Sequence, residues 1–277
     1  MGAPSGFDAA GFDLAFQWRH PGQPVICQVA RSGDEVLFEY PDIASFVITR
    51  QADIFCIPTQ RCQDALLRHL LLNQVIPRWL ASQGCALLHA SAVWLPDVGA
   101  VGFLGKSGVG KSTLAASFAE NGALVLADDC IMLKADPIEK SVQAIGAYPG
   151  LRLWPGTPGL TSRYSSVHSG TVKKQAVFHE TCESNSQRLS ALFVLTGEDV
   201  ENEGCHIDRL TGAEALMALL HESLALDPST SQSSEQALMR FGEVLETGVP
   251  VASLTYHRAF ARLPEVRAAV VNWLQVE

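Results

Sequence analysis

Eight consecutive residues constrain this chain more than any others: Gly105-Lys106-Ser107-Gly108-Val109-Gly110-Lys111-Ser112. Glycine at the first, fourth and sixth places disfavours both helix and strand and leaves a backbone free to curl. An apolar run at 101–104 precedes the loop, and a helical stretch from Lys111 to Asn121 follows it. Gly122 then stops the helix and the apolar residues 123–127 read as another strand. A strand–loop–helix–strand order of this kind is the α/β phosphate-binding unit.

The loop fits G-x-x-x-x-G-K-[ST] without departure, and its flanks are the context that gives such a match meaning. In that arrangement successive backbone N–H groups point inward at phosphate oxygens, and the helix start adds the positive end of its dipole. The expected ligand is a nucleoside triphosphate, ATP, with Mg²⁺. Gly105, Lys106, Ser107, Gly108, Val109, Gly110, Lys111, Ser112 and Thr113 would bind it. Lys111 would reach the β- and γ-phosphates, and the Ser112 hydroxyl would join the metal shell. The alternative is a glycine-rich turn with no ligand.

Two further features bear on what happens to the terminal phosphate. Asp128-Asp129 ends the strand at 123–127, and strand ends beside such a loop face the phosphates. One carboxylate there would hold Mg²⁺, and its neighbour would accept a proton from an attacking hydroxyl. An ordinary pair of solvated turn aspartates is the competing reading. His89 lies in Leu88-His89-Ala90-Ser91-Ala92-Val93, within a strand predicted over 86–95, which would bring it near the phosphate end of the sheet. A histidine among apolar residues is also what a satisfied core group looks like.

Around this unit, residues 12–58 read as short strands separated by Gly, Pro and Asp, and the spacing predicts a helix over about 59–82. A small β-rich domain with its long helix is expected at 1–84 and the phosphate-loop domain at 85–277. Residues 155–188 are rich in Gly, Ser, Thr and His and lack an apolar period, so a long mobile segment is expected there, as lid, substrate element or plain disorder. Strand 191–196, helix 212–224, a polar loop at 227–235, a strand near 251–256 and a helix from Pro264 complete the expectations.

Composition narrows the function classes. The net charge is −9 with no run of lysine or arginine, which argues against nucleic-acid or anionic-membrane binding. The seven cysteines form no CxxC pair and read as small buried thiols in a reducing compartment. No apolar run reaches 18 residues, and Met1 to Ala10 has neither a basic start nor an apolar core, so the cytoplasm is expected.

Taken together, His89-Ala90-Ser91-Ala92-Val93, the loop at 105–112 and Ala127-Asp128-Asp129 resemble the C-terminal domain of bacterial HPr kinase/phosphorylase. That family joins a His-x-x-x-Val strand to a Gly-x-Ser-Gly-x-Gly-Lys-Ser loop and a strand ending in Ala-Asp-Asp. The match covers about 87–131 and keeps the spacing from the loop lysine to the aspartates. It implies an α/β fold, the P-loop variant shared with phosphoenolpyruvate carboxykinases, with a mixed sheet. It also implies catalytic roles for Asp129 as base on an acceptor serine, with Asp128 and His89 in support and Lys111 at the phosphates.

Two departures stand out. The family's Glu-Ile-Arg-Gly-Leu-Gly signature has as its counterpart Leu151-Arg152-Leu153-Trp154-Pro155, with arginine where the acidic metal ligand falls. The family's Pro-Gly-Arg-Asn segment is missing, with Arg258 the nearest candidate. The first 84 residues do not resemble that family's regulatory domain. The pattern is closer to short HPr-kinase-like proteins found beside peptide-modification genes, some of which phosphorylate a serine of a lasso-peptide precursor. The implied activity is a serine kinase acting on a peptide or protein. A small-molecule or carboxykinase-like phosphotransferase and a nucleotide-dependent switch remain the alternatives, and homo-oligomer formation is left open. Lys173-Lys174 would fold over the triphosphate or sit as a solvated pair.

Overall fold

The computed structural model describes residues 11–19, 22–60, 62–146, 150–154, 157, 164–167, 174–178, 184–197 and 204–276. The chain divides into two compact units, one of 1–82 with 225–234 and one of 83–224 with 235–277.

In the first unit, five strands follow one another in chain order as an antiparallel meander. They are β1 (Asp13–Arg19), β2 (Val25–Ser32), β3 (Glu35–Tyr40), β4 (Ala44–Ile48) and β5 (Ile54–Pro58). Short apolar runs cut by turn residues fold this way because each hairpin closes only a small loop. Val36, Phe38 and Tyr40 of β3 share one buried cluster with Phe46 and Ile48 of β4, while Leu37 and Val47 belong to a smaller cluster. Helix α1 (Asp64–Leu70), a π-helical turn (Leu71–Val75) and α2 (Ile76–Ser82) follow, and Leu70 and Val75 enter the larger cluster. The helix starts five residues later than the spacing of its apolar residues predicts. It widens where Pro77 removes an N–H from the ladder: the Ile76 N–H reaches back five residues to the Leu71 carbonyl. Leu226, from the segment that returns at 225–234, is buried in the same cluster.

The second unit carries a nine-stranded mixed sheet among its described residues. Its strands are β6 (Ala86–Leu88), β7 (Ala90–Leu95), β8 (Gly99–Leu104), β9 (Leu124–Ala127), β10 (Ile131–Asp136), β11 (Ser141–Gly146), β15 (Ser186–Leu195), β16 (His206–Leu210) and β17 (Val251–Thr255). The spatial order β6-β10-β11-β15-β8-β7-β9 is continued by β17 beside β15 and β16 beside β17. β15 runs parallel to both β8 and β17, and the remaining pairings are antiparallel. Both faces are buried, as the alternation within β8 illustrates. Val101 and Phe103 join helices α3 (Lys111–Ala119) and α6 (Leu263–Val276) on one face. Ala100 and Leu104 join α4 (Gly212–His221) and α5 (Ser231–Glu246) on the other. Phe103 stacks on Phe118 of α3 with ring centroids 5.5 Å apart, and Phe193 meets Trp273 of α6 edge-on at 5.2 Å.

Four expectations are corrected here. The run 86–95 is two strands and not one, because β6 pairs with β10 whereas β7 pairs with β8 and β9. Helix α4 ends at His221, and the chain beyond it pairs with 87–89, where the His89 N–H donates to the Glu222 carbonyl and the Leu224 N–H to the Leu87 carbonyl. The polar stretch near 227–235 runs into α5, whose Phe241 and Val244 are buried. Within 155–188, β13 (Tyr164–Val167) and β14 (Lys174–Phe178) form a three-stranded antiparallel sheet with β12 (Gly150–Leu153). Backbone pairing therefore organises part of a segment that has no apolar period. Of the rest of that segment, Thr157 and 184–188 are described, with β15 starting at Ser186, and the others, Lys173 included, lie outside the described residues. Among the described residues no helix is long and apolar enough to cross a membrane, and Cys27, Cys56, Cys62, Cys85, Cys130 and Cys205 are free thiols.

Candidate active site

β8 and β9 flank β7 and are both antiparallel to it, so the two run the same way and end on the same side of the sheet. The loop at 105–110 leaves the end of β8, and Asp128 leaves the end of β9. The parallel strands β15 and β17 finish at this edge too, with Val194 opposite Leu104 and Leu195 opposite Leu254. Open α/β sheets bind ligands outside the carboxyl ends of their strands.

Gly105 is required by both conformation and space. Its φ is +128°, and a Cβ there would lie 2.7 Å from the Leu195 carbonyl oxygen. Gly110, with φ +112°, caps α3, and the Leu114 N–H donates to its carbonyl at 2.9 Å. The first turn of that helix carries N–H groups with no carbonyl four residues back, the usual anion-facing end. Lys111 is 6 % exposed, and its Nζ donates to the carbonyls of Gly105 at 2.5 Å and Lys106 at 3.3 Å. Its ammonium is thus folded against the loop that it closes.

Asp128 is buried and gathers three donors. Ser91 Oγ and Ser112 Oγ donate to its Oδ1 at 2.5 and 2.9 Å, and the Arg152 N–H donates to its Oδ2 at 2.7 Å. Burial, and then the neighbouring Asp129 carboxylate, push its carboxyl up to about 6 against those three hydrogen bonds. A carboxylate that is costly to charge alone and lies on a serine hydroxyl offers hard oxygen donors to a divalent cation. Asp129 adopts a left-handed φ of +65°, which aspartate tolerates better than most residues. Its Oδ2 lies 3.5 Å from the Arg152 guanidinium, both side chains less than a fifth exposed.

The structure therefore brings Lys111, Ser112, Asp128 and Asp129 to one edge. His89 occupies the break between β6 and β7, where its backbone N–H donates to the Glu222 carbonyl at 2.7 Å. The Glu222 carboxylate in turn accepts the Gly105 N–H; burial pushes it up, while Lys111 and that N–H pull it down. Ser91 and Glu222 have no motif to mark them. Ser91 is found only through the register that sets Ala92 opposite Ala127, and Glu222 only through the clip of 222–224 onto β6. Among the described residues no three His, Cys, Asp or Glu side chains form a cluster able to hold a metal ion.

A cleft of about 280 Å³ opens beside the loop, between Gly108, Gly110 and Thr113 on one wall and Tyr256, Arg258 and Phe260 on the other.

The sequence matches no protein-family model and no curated protein. Among solved structures, the chain is similar to the Hpr(Ser) kinase/phosphatase from Coxiella burnetii at 12 % identity and a TM-score of 0.36, over 69 % of this chain and 97 % of that one. A likeness this slight adds nothing to the geometry above.

Proposed function

We propose that this chain is a kinase that transfers the γ-phosphate of ATP to a serine hydroxyl of a peptide or protein. The observation that carries the reading is the Ser112–Asp128 hydrogen bond of 2.9 Å. It joins the hydroxyl of the phosphate-loop motif to the carboxylate at the next strand end, with a second carboxylate one residue on. A lone glycine-rich turn has no need of that pairing.

Ser112 and Asp128 would hold Mg²⁺, which supplies positive charge to the β- and γ-phosphate oxygens. The curled backbone at 105–110 and the first turn of α3 bind and orient the phosphates, and Lys111 adds a point charge there. Asp129 accepts the proton of the acceptor hydroxyl as its oxygen attacks phosphorus. The new O–P bond forms as the bond from the γ-phosphorus to the bridging oxygen breaks, and ADP leaves with those electrons. Arg152 orients Asp129 and places positive charge where the transferred group develops negative charge. In this respect arginine serves at a position where the resembling family carries glutamate. His89 and Glu222 anchor the start of the loop through the Gly105 N–H.

The test is transfer of labelled γ-phosphate, in the presence of Mg²⁺, to serine-containing peptides and to small hydroxyl compounds. Transfer to peptide serine supports the proposal. Transfer to small compounds alone would replace it with a small-molecule kinase, and nucleotide binding without transfer to any acceptor would replace it with a switch.

A further inference from the structure

Among the described residues, the phosphate loop has two neighbourhoods that share no residue outside it. Ser91, Asp128, Asp129 and Arg152 bond among themselves and to Ser112, and none of them lines the cleft beside Gly108, Gly110 and Thr113. A triphosphate held by the loop thus has its reacting end on the carboxylate side, and its nucleoside end must leave elsewhere.

The cleft has the chemistry for that end. After β17 carries Ala252 and Leu254 into the core, Tyr256 is still buried, with its hydroxyl 3.5 Å from the place a Gly110 Cβ would occupy. The chain then leaves the sheet, extends through Ala259 and tightens into a 3₁₀ turn (Phe260–Arg262), with the Arg262 N–H on the Ala259 carbonyl at 3.0 Å. That turn holds Phe260 at the cleft wall, 50 % exposed. A single exposed phenylalanine is ordinary on a protein surface. One fixed on a turn, in a cleft continuous with a phosphate loop and next to an exposed arginine, is a stacking surface. Among the described residues that line the cleft there is one charged side chain, the Arg258 guanidinium, whose sign suits a ligand tethered to phosphates. Its volume of about 280 Å³ lies just below the roughly 300–1,000 Å³ usual for whole ligand pockets, as suits a site that takes only part of a ligand.

We infer that this cleft is the nucleoside subsite, with Phe260 stacking on the base and Arg258 beside the ribose and α-phosphate. The inference rests on the proposed triphosphate role of the loop, and the experiment separates the two. Calorimetry compares Mg-ATP with Mg-bound inorganic triphosphate on wild type, Phe260→Ala and Phe260→Tyr, each first checked for an unchanged melting temperature. Wild type should bind ATP more tightly than triphosphate. Phe260→Ala should weaken ATP about 5- to 150-fold, as loss of a base–aromatic stack does, with triphosphate within twofold of wild type. Phe260→Tyr should restore most of the loss. If Phe260→Ala leaves ATP unchanged, or weakens both ligands alike, the cleft is not the nucleoside subsite and the loop reading stands. If wild type binds neither ligand, the loop reading itself falls and takes the subsite with it.

Discussion

The five-stranded and the nine-stranded sheet are built on opposite plans. In the N-terminal unit every strand pairs with its neighbour in sequence, from β1 to β5. In the second unit the strands that position the loop are drawn from distant parts of the chain, with β8 lying between β7 and β15. The meander buries aromatic and aliphatic side chains such as Phe38 and Phe46. The mixed sheet does this too, but it also sends four strand ends to one edge, and there the polar side chains collect. Local pairing is sufficient for a core, whereas a site needs groups whose separation in sequence is large and whose separation in space is small. Ser91 and Asp128 are 37 residues apart in sequence and in hydrogen-bond contact.

If that division is real, substitutions in the two regions should fail in different ways. The largest effect is expected from Lys111→Ala: transfer should be abolished and Mg-ATP affinity should drop, with the melting temperature kept. The Lys111 ammonium is held against the loop carbonyls of Gly105 and Lys106, and unchanged affinity together with unchanged turnover would remove the phosphate-loop assignment. Asp129→Asn comes next. It keeps shape and removes proton acceptance, so transfer should fall about 10²–10⁴-fold while Mg-ATP affinity stays near normal. Asp128→Asn should instead weaken the Mg²⁺-dependent part of binding. The opposite pattern for the two aspartates would exchange their roles.

In the meander the expected failure is one of stability. Phe46, 1 % exposed in the main cluster, should destabilise the first unit by about 3–5 kcal/mol when replaced by alanine, read as a lower denaturant midpoint. A loss of transfer larger than the loss of folded protein would show that the meander does more than fold. The smallest effect is expected at Arg50, whose 3.3 Å ion pair with Asp34 has both side chains at least 70 % exposed. Arg50→Ala should change stability by less than about 1 kcal/mol, because solvent screens such pairs. A larger shift would mean that the meander's surface carries weight its burial pattern does not show.

What the chain's own order determined was local. The strand–loop–helix around Gly105, Gly108, Gly110 and Lys111 was legible because every group it needs lies within a dozen residues, and glycine has few other reasons to recur at those places. The strands of the meander were legible for the same reason: alternation and turn residues act over neighbours. The acidic pair was visible as a strand end, yet its partners were not. Only the tertiary structure set Ser91 opposite β9, brought the Arg152 backbone to Asp128, folded Glu222 onto the loop and placed Phe260 beside Thr113. It also made strands of 164–167 and 174–178, where no side-chain period announces them. Each of these depends on which distant strands pair. Loop-closure entropy rises only slowly with separation, so that choice is made by the apolar surface buried across the whole sheet and not by any short stretch of sequence.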